Sequence, residues 1–134
     1  MLETLKQRKE YVEKFKNDLK NEFPHINYQV WIFGSFLTEE YNQYSDMDVS
    51  IYCDNVEALL DITDYINDYL SRDNIEHDIV IFEFNKNHYI NIPIICYGTA
   101  LTEYEPPHWL EYIKEMISIW GMNPMNKLLE RSKV

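Results

Sequence analysis

The stretch Val30-Trp-Ile-Phe-Gly34-Ser35, followed after ten residues by Asp46-Met-Asp48-Val-Ser-Ile-Tyr-Cys53, decides how the rest of the chain is read. It divides into an apolar strand, a Gly-Ser turn, a polar excursion from Phe36 to Ser45, and a second strand that opens with Asp-x-Asp. Gly34 lets the backbone turn sharply and lets a ligand approach, because it has no Cβ. Ser35 offers a hydroxyl and a backbone N–H where a helix could begin, a place that holds anions such as phosphates. Asp46 and Asp48 are two residues apart, so on a strand they share a face at roughly 6.5–7 Å. Like charges so placed call for a cation between them, and hard carboxylate oxygens suit Mg²⁺.

Outward from this centre, Leu2, Leu5, Val12, Phe15, Leu19 and Phe23 recur at helical spacing, which predicts an amphipathic helix over residues 1–21, stopped by Pro24. The first strand spans about residues 27–33, its apolar end suggesting burial on both faces. In the second strand Met47, Val49, Ile51 and Cys53 share the inner face, and Asp46, Asp48, Ser50 and Tyr52 share the solvent or ligand face. Asp54 and Glu57 read as a capping box for a helix whose inner stripe is Val56, Leu59, Leu60, Ile66 and Leu70, ending near Ser71. Asp73-Asn74 makes a turn, and residues 77–84 form a third strand.

Asp78 is the one carboxylate within the start of that apolar third strand. If the second and third strands are neighbours, it lies about 5 Å from the Asp46/Asp48 ladder. From the residues alone it is equally a strand-end side chain. Glu83 alternates to the opposite face. Further on, Pro93 in a first helical turn and Gly98 at the C′ position read as a short helix. Residues 100–104 read as a last strand. Pro106-Pro107 opens a helix whose apolar positions are Trp109, Leu110, Ile113, Met116, Ile117 and Trp120, and Pro124 starts a final short helix.

Gly34-Ser35, ten residues, then Asp46-x-Asp48 resembles the signature of the minimal nucleotidyltransferases (MNT), small members of the DNA polymerase beta-type superfamily. The resemblance covers about residues 30–84. It implies an α/β (α+β) nucleotidyltransferase fold, a small mixed β-sheet packed with helices. That fold is a single domain over 1–134, with its core at about 28–104 and a helical extension at 107–132. It implies ATP as donor, nucleotide held at Gly34 and Ser35, and a catalytic and metal-binding triad of Asp46, Asp48 and Asp78 around two Mg²⁺ ions. It also implies an antitoxin that transfers AMP to a tyrosine of a partner HEPN-domain toxin. The chain departs from the family in one place. The usual small residue and Arg-Gly after Gly-Ser are replaced by Phe36-Leu-Thr-Glu-Glu40, with no base and two acids. An arginine there counters triphosphate charge, so a non-catalytic binding module of the same fold is a second expectation. A drug-modifying nucleotidyltransferase of the aminoglycoside type is a third, disfavoured by the lack of a second domain.

Composition bounds the rest. The 134 residues fit one core, and 46% hydrophobic content supports it without disulfides. No apolar run nears the length of a membrane span and the N-terminus lacks a signal-peptide core, so a cytoplasmic protein is expected. Cys53 and Cys96 sit in apolar stretches and read as buried thiols. A net charge of −11 disfavours a nucleic-acid partner, which needs a basic face. The bases Lys6, Arg8, Lys9, Lys14, Lys16 and Lys20, and Lys127, Arg131 and Lys133, read as solvated helix faces. Trp31 and Trp109 are expected in the core. Tyr41, Tyr44 and Tyr52 are candidates either for nucleobase stacking or for ordinary packing. Met116, Trp120, Met122 and Met125 read either as a buried seam or as a sticky surface for a partner.

Overall fold

The computed structural model describes residues 2–86 and 88–120, apart from the side chains of His88 and Trp120. The expected helix from Pro124, the methionines at 122 and 125, and the C-terminal bases lie outside the described residues.

In chain order the elements are α1 (Leu5–Glu22), β1 (Gln29–Phe33), β2 (Met47–Tyr52), α2 (Val56–Arg72), β3 (His77–Ile81), α3 (His88–Tyr97), β4 (Thr99–Ala100) and α4 (Trp109–Trp120). The sheet order is β3-β2-β1-β4. β1 runs antiparallel to both β2 and β4, and β2 runs parallel to β3. The parallel pair needs a crossover, and α2 supplies it. The mixed sheet and α+β class agree with the sequence reading.

One sheet face is aliphatic. Val30, Ile32, Met47, Val49 and Ile51 meet Val12, Phe15 and Leu19 of α1 and Ile62, Ile66 and Leu70 of α2. α1 starts at Leu5 because the Thr4 hydroxyl accepts from the Gln7 N–H while the Gln7 side chain accepts from the Thr4 N–H. In α2 the cap is Asn55, whose Oδ1 accepts from the Ala58 N–H at 2.9 Å, rather than Asp54. The inner stripe of α2 is also displaced from expectation: Ile62, Ile66, Tyr69 and Leu70 are buried, whereas Val56 and Leu60 are exposed.

The opposite face is aromatic and is also covered. Trp31, Phe82, Ile94, Tyr112 and Met116 form a second core, with Trp109 stacked 5.5 Å from Trp31. This corrects the expectation that Ser50 and Tyr52 face solvent or ligand. Ser50 pairs with Trp31 in the antiparallel register, so whatever covers Trp31 covers Ser50, which is fully buried. α3 runs from His88, so Pro93 lies inside it rather than in its first turn; Gly98 closes it by donating to the Ile94 carbonyl at 2.9 Å. β4 is shorter than the expected 100–104. The Gln29 side chain donates to the Thr102 and Tyr104 carbonyls and accepts from the Leu101 and Thr102 amides, and so replaces the ladder there. Cys53 and Cys96 are free thiols, Cys96 buried and Cys53 half-exposed.

Candidate functional site

The candidate site lies where β1 ends and β2 and β3 begin. Asp48 pairs with Phe33 across the antiparallel ladder and with Asp78 across the parallel one. Paired residues in neighbouring strands project to the same side, about 5 Å apart at the backbone. The side chains of Asp48 and Asp78 therefore start from one edge of one face, with Asp46 immediately upstream. Asp46 and Asp78 are exposed and Asp48 is half-buried.

Electrostatics record the same convergence. Burial first, and then the charges of Asp78 and Asp46, hold the Asp48 carboxyl above its ordinary value. The Gly34 backbone closes the site on the β1 side. Gly34 has φ of +73°, and a Cβ at this position would collide with the Asp48 carboxylate. Only glycine satisfies both constraints. Residues 34–37 then form turns rather than a helix, with the Thr38 N–H donating to the Ser35 carbonyl at 3.0 Å. Ser35 therefore does not stand at a helix N-terminus, and any anion here would meet turn amides instead.

Sequence reasoning missed Arg8. It was read as part of a solvated helix face, yet it is 3% exposed. Its Nε donates to the Phe36 carbonyl at 2.7 Å, Nη2 to the Thr38 carbonyl at 2.9 Å and Nη1 to the Leu2 carbonyl at 3.1 Å. Its guanidinium lies 4.7 Å from the Tyr41 ring centre. The loop after Gly34 is thus pinned from beneath by one cation. The signal was present: Leu5, Arg8, Val12, Phe15 and Leu19 follow the same inward spacing, and Arg8 fills the gap in it.

Of the candidate stacking tyrosines, Tyr41 is taken up by Arg8 and Phe36, and Tyr52 packs on Phe82 and Phe84 at the far end of β2. Only Tyr44, 87% exposed in the loop before Asp46, is uncovered. Glu83 lies beyond the end of β3 and outside the acidic group.

A model of the nucleotidyltransferase domain family matches residues 12–99. The chain belongs to this family. No curated protein matches the sequence. Among solved structures, a toxin–antitoxin complex with AMP-PNP shares the fold at TM-score 0.52 and 13% identity, covering 89% of this chain and 98% of that one. The toxin–antitoxin pair MntA–HpeT carrying two Asp-to-Glu substitutions does so at TM-score 0.51 and 12% identity, covering 91% and 98%. At such identities the likeness is one of fold.

Within this nucleotidyltransferase domain the acidic edge is a candidate place for a divalent ion. Its donors are all hard carboxylate oxygens, and the charges of Asp78 and Asp46 add to the effect of burial on the Asp48 carboxyl. As placed, no three acidic, histidine or cysteine side chains among the described residues close to metal-holding separation. The oxygen donors of Asp46, Asp48 and Asp78 are of the kind Mg²⁺ takes, but their placement does not form a site for it.

Proposed function

We propose that this domain transfers AMP from ATP to a hydroxyl of a partner protein, a tyrosine of a HEPN-type toxin, and so acts as an antitoxin. The observation that carries the reading is the cross-strand pairing of Asp48 with Asp78 beside a glycine that packs on the Asp48 carboxylate. The acceptor oxygen attacks the α-phosphorus, the bond from that phosphorus to the bridging oxygen breaks, and pyrophosphate leaves with the electron pair. Asp78, the more exposed of the paired acids, accepts the hydroxyl proton. Turn amides around Gly34 and Ser35, with the Ser35 hydroxyl, hold the triphosphate. Mg²⁺, were it held by these carboxylates, would neutralise phosphate charge and make the acceptor hydroxyl more acidic. Family membership supports transferase chemistry; the AMP-PNP complex of similar fold is in keeping with an adenine nucleotide.

One observation favours a second reading. The loop from Gly34 to Asp46 contains no base, and Arg8 beneath it spends its donors on backbone carbonyls. A non-catalytic antitoxin that acts by binding alone fits that charge balance. The test is incubation with Mg²⁺ and α-labelled ATP, with and without the HEPN-domain product of an adjacent gene. Label on the partner, lost with Asp46→Asn plus Asp48→Asn, is expected. Tight partner binding that survives both substitutions, with no label transferred by the native protein, sinks the enzymatic reading and establishes the second.

A further inference from the structure

At the opposite end of β2 from the acids the aromatic face opens into a cavity of about 440 Å³. Tyr52 of β2 and Phe84 line it together with Pro107, His108 and, from α4, Glu111, Tyr112 and Glu115. Phe84 meets Tyr52 at 5.7 Å and 71°, and Tyr112 at 5.0 Å and 79°. Rings set edge to face make a cupped wall rather than a flat stack. Glu111 and Glu115 are one helical turn apart on α4 and both are exposed, so they repel one another. His108 Nδ1 lies 2.9 Å from Glu111 Oε2, whereas Glu115 has no ion pair among the described residues. Among the described residues no lysine or arginine lines the cavity.

Burial dominates at the ring hydroxyls. Burial and then Asp54 raise the Tyr52 hydroxyl above its ordinary value. Burial raises that of Tyr112, with Glu115 adding to the rise and the Asn91 hydrogen bond opposing it. Behind Tyr112, Asn91 Nδ2 donates to the Tyr112 hydroxyl at 2.6 Å, and the fully buried Asn91 Oδ1 has no donor among the described residues. The cavity thus combines π faces and two carboxylates, one of them beside His108, with no lysine or arginine among its described lining residues.

We propose that this cleft is a docking site for an arginine side chain presented by a protein partner. An anion is repelled, and a neutral group gains only the aromatic contact. A guanidinium gains contact with the rings and charge-assisted bonds to Glu111 and Glu115, and it is less strongly hydrated than an ammonium. Charge points to a protein as the source. A chain of net charge −11 draws basic protein surfaces toward it. The inference stands apart from nucleotidyl transfer, because none of its residues belongs to the acidic edge.

The test is an NMR titration of the full chain with the peptide acetyl-Gly-Arg-Gly-amide, and with its citrulline counterpart as the neutral isostere. Saturable shifts of the Tyr52, Phe84 and Tyr112 ring signals are expected with arginine only. Binding should weaken at least about tenfold in Glu111→Gln plus Glu115→Gln, substitutions of exposed carboxylates that leave the fold intact, and should fall with added salt. Equal binding of the citrulline peptide, or equal binding by the double variant, overturns the proposal. Displacement of the arginine peptide by an equal concentration of spermidine overturns the protein source.

Discussion

The two ends of β2 present the same face of the same strand and have opposite fates. At the first end Asp46 and Asp48 stay at least partly open to solvent; two residues on, Ser50 is fully buried and its hydroxyl has no partner among the described residues. Strand alternation puts Asp48, Ser50 and Tyr52 on one side, but it does not say how far along the strand the cover reaches. The cover comes from Trp31, Phe82 and Ile94, with α4 behind them, and it stops short of the acids. A polar residue is therefore a site candidate where the cover ends and a buried misfit where it does not.

Substitution can break this comparison. The largest effect is expected from Asp48→Asn, with label transfer falling by about 10³-fold or more, on the order of 4 kcal/mol. The same change should stabilise the metal-free fold at neutral pH. A carboxyl held above its ordinary value disfavours folding while it is charged, and ceases to do so once pH drops below the ordinary carboxylate value of about 3.9. With solvent screening at this half-buried position the gain is under about 1 kcal/mol. Thermal melts from pH 7 down to pH 3.5 should show the variant melting higher than the native chain at the top of that range and level with it at the bottom. A variant less stable at pH 7 would mean that Asp48 is held by a partner rather than crowded by its neighbours.

Arg8 extends the comparison to the loop. Arg8→Met strips donors from the Phe36, Thr38 and Leu2 carbonyls and is expected to cost roughly 2–4 kcal/mol in urea unfolding. Arg8→Lys restores the charge but not the fork, and should recover only part of that loss. In transfer assays KM for ATP should rise more than kcat falls, because the loop is pinned from below and Arg8 itself is buried. The smallest effect is expected at the covered end. Ser50→Ala removes a hydroxyl without a partner, so stability should be unchanged or up to about 1 kcal/mol higher, with transfer within about twofold of the native rate. A tenfold loss of transfer would join Ser50 to the site and erase the distinction between the two ends.

Much of the candidate site was legible in the chain. Gly34, Asp46 and Asp48 are close in sequence, and their spacing expresses a turn and a strand period, both local properties. Asp78 was legible only as a possibility, because its value depends on β3 lying beside β2 in the register that pairs it with Asp48. Arg8 was misread because charge was given more weight than position, although its spacing in α1 matched the buried stripe. The stripe of α2 was misplaced by its apolar Val56 and Leu60, which the sheet does not reach. The shortened β4 could not be foreseen, since it turns on one side-chain amide, Gln29, meeting a segment more than seventy residues away.

By itself the sequence determined most of the helices and strands, the inner face of β2, the turn at Gly34 and the placing of two acids on one strand. These follow from periodicity and from backbone sterics within a few residues. Tertiary structure alone decided that a third acid lies across the ladder from one of them, that a buried arginine holds the loop, and that Ser50, midway along the same strand face, is sealed by aromatics. Those outcomes depend on which distant segments pack together, and packing is a property of the whole chain.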